Sequence, residues 1–162
     1  MTINKEVEFN NIVSDILKNE SFIELKYEIH HGISRLDHSL NVARLTYNTC
    51  KKMKIKNYNE ITRAALLHDF FKSSEINGNS FINHPKKALD NSKNNFEISS
   101  IQENIIVSHM FPMTKTIPKN IGSWIVTLAD KMVALYECTK YKIPLTIGAV
   151  MLFFINFCFI QR

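Results

Sequence analysis

The sequence predicts an all-α fold, and three observations carry that expectation. Glycine and proline are scarce, at four each in 162 residues, so the many tight turns of a β-fold have too few turn formers. Apolar residues recur at three- and four-residue spacing along most of the chain. Cap signals stand ahead of several of these runs. The length is that of one domain, long enough to bury a core.

The elements follow in order. Val7, Phe9, Ile12, Val13, Ile16 and Leu17 predict a helix over 5–18. A short helix is expected from Phe22 to about Ile29, with His30-His31-Gly32 as its polar end. Ser34 then caps a helix over 35–53. Asn57 or Asn59 starts a helix through ITRAALLHDFF, whose centre is apolar on almost every side and is therefore the expected central helix. Residues 73–83 read as a loop, and Pro85 falls in the first turn of a helix over 85–95. Ser100 with Glu103 reads as a capping box before Ile105, Ile106 and Val107. A loop over 111–119 precedes a helix over 121–142. Residues 143–160 are 18 positions without a charge. As a helix they would span about 27 Å, enough for a hydrocarbon core. The expected organisation is a domain over 1–142 and a hydrophobic C-terminal helix over 143–162, read as a membrane anchor.

Net charge is +5 and the isoelectric point about 9.1. That favours an anionic partner. The basic residues are scattered and not interleaved with aromatics, so no nucleic-acid polymer is expected as a ligand. Cys50, Cys138 and Cys158 are odd in number and none stands two residues from another, which argues against a disulfide framework or a thiolate metal site and for a reducing compartment. The N-terminus is acidic and amphipathic, unlike a signal peptide. With the anchor, these features place the domain in the cytoplasm at the inner face of the cell membrane.

Chemistry is concentrated in residues of metal-ligand type on separate helices. Asp69 follows Ala64-Ala65-Leu66-Leu67-His68 and precedes Phe70-Phe71; Asp130 lies between Leu128-Ala129 and Met132-Val133. A carboxylate in apolar surroundings is costly unless paired or bound to a cation. His38, His68, His84 and His109 stand beside apolar runs of other helices. Imidazole and carboxylate together suit iron, manganese or zinc. One ion would take His38, His68, Asp69 and Asp130. A bridging Asp69 would share a second with His84 and His109, leaving positions open for water and a substrate oxygen.

The pieces RLDHSLNVA, AALLHDFFK, NHPKKAL, IIVSHMFP and LADK give the order His, His-Asp, His, His, Asp. This resembles the HD superfamily in its five-helix-core, two-metal form, over about residues 33–137, and is similar to small bacterial HD proteins. The resemblance implies a metal-dependent phosphohydrolase acting on a small phosphate-containing substrate, a nucleotide above all, with two divalent ions. Iron or manganese is expected, and zinc, magnesium or nickel fit the same ligands. Asp69 and Lys72 are the expected catalytic residues. Arg35, Lys72 and Lys131 are the expected substrate contacts, with Lys131 ranked below Lys72 because it points about 100° from Asp130. The family's common His-Asp-Ile-Gly reads His68-Asp69-Phe70-Phe71 here, and Phe71 in place of glycine is expected to narrow the site. The Gly-Tyr-Pro signature of cyclic-di-GMP phosphodiesterases is absent. Two other readings stand beside this one: an HD-fold di-iron oxygenase, and a non-catalytic metal-binding protein tethered to a membrane. A homodimer is compatible with all three.

Overall fold

The computed structural model describes residues 3–30, 32–76, 78 and 80–142. Among these the architecture is all-α, as the sequence predicts. Helix α1 (Ile3–Val13) is followed by a 3₁₀ turn at Ile16–Lys18, α2 (Glu20–Ile23) and a second 3₁₀ turn at Glu24–Tyr27. Strands β1 (Ile29–His30) and β2 (Ile33–Ser34) form a small antiparallel hairpin. Then come α3 (Arg35–Lys52), α4 (Tyr58–Leu67), α5 (Ser80–Asn95), α6 (Ser100–Ser108) and α7 (Ile121–Glu137), which runs into a π-helical turn at Cys138–Lys142.

Helix α4 is the centre of the bundle, packing against α1, α3, α5, α6 and α7. Its residues Ile61, Ala64, Ala65, Leu66 and Leu67 are fully buried. The small Ala64-Ala65 pair lets neighbouring helices come close. So does Gly122 at the start of α7, where a Cβ would lie 2.7 Å from Ile61 Cγ1. Phe9 and Val13 of α1, and Val42, Ala43 and Tyr47 of α3, complete the core on one side. Ile105 and Ile106 of α6 with Val126 of α7 complete it on the other. Outward, α7 turns Trp124, Leu128, Met132 and Leu135 to the surface, each at least 40% exposed.

The local structure departs from the sequence reading in several places. His30 is not a helix end but part of the hairpin, which turns at Gly32 with φ +92°, a conformation that favours glycine. Helix α4 stops at Leu67, four residues before the apolar run ends. Helix α5 starts at Ser80, so Pro85 lies inside it. The capping box is one residue earlier than expected. Ser99, in extended conformation, accepts from the Gln102 amide, and the Gln102 side chain accepts from the Ser99 amide. Glu103 pairs instead with Lys93. Asn57 sits at the start of α4 without a side-chain cap. Ser34 does cap α3, accepting from the Asp37 amide at 3.1 Å.

The membrane reading is corrected. Among the described residues no helix is long and apolar enough to cross a membrane. The longest, α3, has 18 residues but carries Arg35, Asp37, Arg44, Lys51 and Lys52. The expected anchor over 143–160 lies outside the described residues, so the attachment to the inner face of the cell membrane has no support and is withdrawn.

Candidate metal centre

Six side chains from five helices and their ends converge on one buried volume. His38 projects from α3, His84 from α5 and Asp130 from α7. His68 and His109 use one local device twice. Each is the residue that ends its helix, α4 or α6. Each donates Nδ1–H to the carbonyl three residues back, Ala65 O and Ile106 O, both at 2.7 Å. A carbonyl can only accept, so the proton is on Nδ1 and the Nε2 lone pair faces the site. Asp69 follows His68 where the helix has ended.

Around Asp130, His38 Nε2 lies 3.2 Å and His68 Nε2 3.6 Å from Oδ1. Around Asp69, His84 Nε2 lies 3.3 Å and His109 Nε2 3.6 Å from Oδ1, while His68 Nε2 lies 3.9 Å from Oδ2. The Nε2 atoms of His84 and His109 are 2.9 Å apart. Donors bound at about 2.1 Å to one ion sit roughly 3.0–3.5 Å from each other. The spacing is therefore that of ligands around an ion. His38, His68 and Asp130 form one candidate group, and His68, Asp69 and His109 another. His84 joins the second, 3.3 Å from Asp69 Oδ1 and 2.9 Å from His109 Nε2.

Electrostatics and hydrogen bonding agree with a cation there. Among the buried described residues, three carboxylates, Asp69, Asp130 and Glu137, face one permanent cation, Arg35. Uncompensated buried charge is strongly unfavourable. Asp69 Oδ1 and His68 Nε2 are buried without a hydrogen-bond partner, an omission that an ion would repair. Burial opposes ionisation of Asp69, but the imidazoles of His68, His84, His109 and His38 hold its carboxyl well below the usual range. Asp130 behaves likewise: burial opposes its ionisation and bonds from His38 and His68 outweigh it. Burial, helped by His68, pushes His109 down to about 3, so it is a neutral ligand. Burial also disfavours a charge on His38, yet its bonds to Asp130 and Glu137 raise it to about 10. Positive charge is thus favoured between those carboxylates.

Glu137 is the site residue that the sequence reading missed. It is 1% exposed, its Oε2 accepts from His38 Nδ1 at 2.7 Å, and its Oε1 accepts from Asn41 Nδ2 at 2.9 Å. A carboxylate on the far nitrogen of a ligand histidine fixes the ring and raises its basicity. The signal was present, because Glu137 stands seven residues after Asp130 and so two turns along on the same helix face.

The expected substrate contacts are placed differently from one another. Arg35, 4% exposed, brings Nη1 to 3.8 Å from Asp69 Oδ2. Lys131 is partly buried and donates to His109 O at 2.9 Å, so it braces the end of α6. Lys72 is not brought to the centre. It is 39% exposed along its side chain and pairs with Glu24.

A family model described as "HD domain" matches residues 35–135. That span is more than half of the chain and contains all six converging residues. The chain belongs to the HD domain family. Neither a curated protein nor a solved structure matches it. The HD domain implies divalent-metal binding and, in general terms, metal-dependent hydrolase chemistry, and the donor set described above fits such ions. The matched span ends two residues before Glu137.

Proposed function

We propose that this HD domain hydrolyses a phosphoester or phosphoanhydride bond of a small anionic substrate, a nucleotide above all. The observation that carries the reading is a buried guanidinium at the edge of the donor cluster. Arg35 Nε has no partner, Nη1 is too far from Asp69 for a hydrogen bond, and Nη2 reaches only Ser73 Oγ at 3.4 Å. A planar donor fork left largely unsatisfied beside a carboxylate–imidazole cluster suits a phosphoryl oxygen pair.

Each residue then has a task. His38, His68 and Asp130 would hold one divalent ion, and His68, Asp69 and His109, with His84, would hold a second. Bound ions supply Lewis acidity and a lowered pKa for coordinated water, which hydrolysis near neutral pH requires. Asp69 and Asp130 are held as anions, the form in which a carboxylate would bind a cation. Glu137 holds His38 in its ligand tautomer. Arg35 orients the phosphoryl group and stabilises charge that builds on its non-bridging oxygens.

The test uses the full chain, purified without oxygen and analysed for metal beside Asp69→Ala. Roughly two divalent ions per chain are expected, lost in large part in the variant. The loaded protein is then assayed against nucleoside polyphosphates and phosphodiesters. Bound metal with no release of phosphate or nucleotide from any of them would overturn the hydrolytic reading.

A further inference from the structure

Arg35 has few conventional anchors for a buried guanidinium, which raises the question of what holds it. Beside its contacts to Ser73 and Asp69, Arg35 lies over the ring of Phe71, with Cζ 3.7 Å from the ring centre. Phe71 is 3% exposed. It also stacks on His84, with ring centres 5.0 Å apart and planes 27° from parallel. Its backbone amide donates to the main-chain carbonyl of Asp69 at 2.8 Å, a tight local turn that sets Phe71 beside Asp69 in the chain. Phe71 therefore touches a ligand of the second ion and the guanidinium at once.

We infer that Phe71 is the positioning residue for Arg35: it sets the plane of the guanidinium against His84 and so fixes where the substrate's phosphoryl oxygens are held. A cation over an aromatic face is attracted without using any N–H donor. Hydrogen bonds would have consumed the fork that the substrate needs. Stacking fixes the plane and uses none of the N–H donors of the fork. The aromatic ring is thus more than bulk that narrows the site. A smaller side chain at 71 would leave Arg35 with the 3.4 Å contact to Ser73 and the 3.8 Å approach to Asp69, neither of which defines a plane. A lysine at 35 would keep the charge but lose the planar fork.

This inference rests on the phosphohydrolase reading, and the experiment separates the two. The full chain is loaded with Mn²⁺. Bound manganese is counted by mass spectrometry, and affinity for inorganic phosphate is measured by calorimetry. Wild type is compared with Phe71→Leu, Phe71→Tyr, Arg35→Lys and the Phe71→Leu/Arg35→Lys pair. Manganese content at saturation is expected to be unchanged in all of them. Phosphate affinity is expected to fall about tenfold in Phe71→Leu and in Arg35→Lys, the loss of one good charged hydrogen-bond pair. The double variant is expected to fall no further than either single one, because Phe71 acts through Arg35. Phe71→Tyr, which keeps the ring, is expected to stay near wild type. Additive losses in the double variant, or wild-type affinity in Arg35→Lys, would overturn the inference. The Arg35→Lys arm leaves the ring in place, so it can still overturn the inference if Phe71→Leu does not fold. Wild type that binds manganese but no phosphate would overturn both the inference and the substrate class. Wild type that binds no manganese would overturn the metal centre itself.

Discussion

At the scale of single residues, the centre depends on side chains that never touch a metal as much as on those that would. Glu137 receives the Nδ1 proton of His38 at 2.7 Å and is itself held by Asn41. Glu137→Ala removes the acceptor and frees the ring to rotate. Metal affinity is expected to fall about 10–100-fold, read by competition with a chelator of known affinity, while Glu137→Gln, which keeps an amide oxygen to accept the proton, is expected to fall less. The six donor residues were legible in the sequence because polar groups inside apolar runs are conspicuous. Glu137 was not, because a glutamate near the end of a helix is ordinarily a solvated one. Lys72 misled for a different reason. Its expected role came from the family resemblance alone, which does not say where this chain leaves its helix. The chain leaves the helix after Leu67, and the extended backbone at Lys72 sends its side chain to Glu24.

At the scale of elements, what decides position is where helices begin, end and cross. The apolar pattern made α4 the central helix in the sequence and in the fold. It could not reveal where α4 stops, because His68 caps the helix with its own imidazole and no glycine or proline marks the place. Two-residue strands such as β1 and β2 are too short to have a period at all. The crossing of α4 and α7 is close at Gly122. Gly122→Ala puts a methyl 2.7 Å from Ile61 Cγ1, itself fully buried, and is expected to cost about 1–3 kcal/mol as overpacking. Leu128→Ala, on the outward face of the same helix at 57% exposure, is expected to change stability by less than about 0.5 kcal/mol. Chemical denaturation of the two variants checks the contrast, and equal losses would mean that the outward face of α7 is covered. Ser99→Ala removes the cap of α6 and is expected to cost about 1 kcal/mol.

At the scale of the whole molecule, α1 precedes the matched HD span and has to be fastened to it. Its apolar side does so through Phe9 and Val13, both fully buried. Its polar side does so through Glu8. One Glu8 oxygen accepts from Tyr58 at 2.6 Å and from Lys51 at 2.9 Å, and the other accepts from Tyr47 at 2.8 Å. A single carboxylate thus joins α1 to α3 and α4. The Tyr58 hydroxyl, then Lys51 and Tyr47, hold the Glu8 carboxyl down at about 2, against an ordinary value of 4.5. A folded-state value below the unfolded one stabilises the fold above the unfolded pKa and ceases to do so as pH falls through the folded one. The contribution of Glu8 is therefore complete above pH 4.5 and disappears between about 4.5 and 2. Glu8→Gln keeps the shape and loses the charge. The gap in melting temperature between wild type and Glu8→Gln is expected to be constant from pH 7 to about 5 and to close as pH is lowered towards 2. A gap that stays open throughout that range would mean that the link from α1 to the bundle is steric and not ionic, and that Phe9 and Val13 alone fasten it.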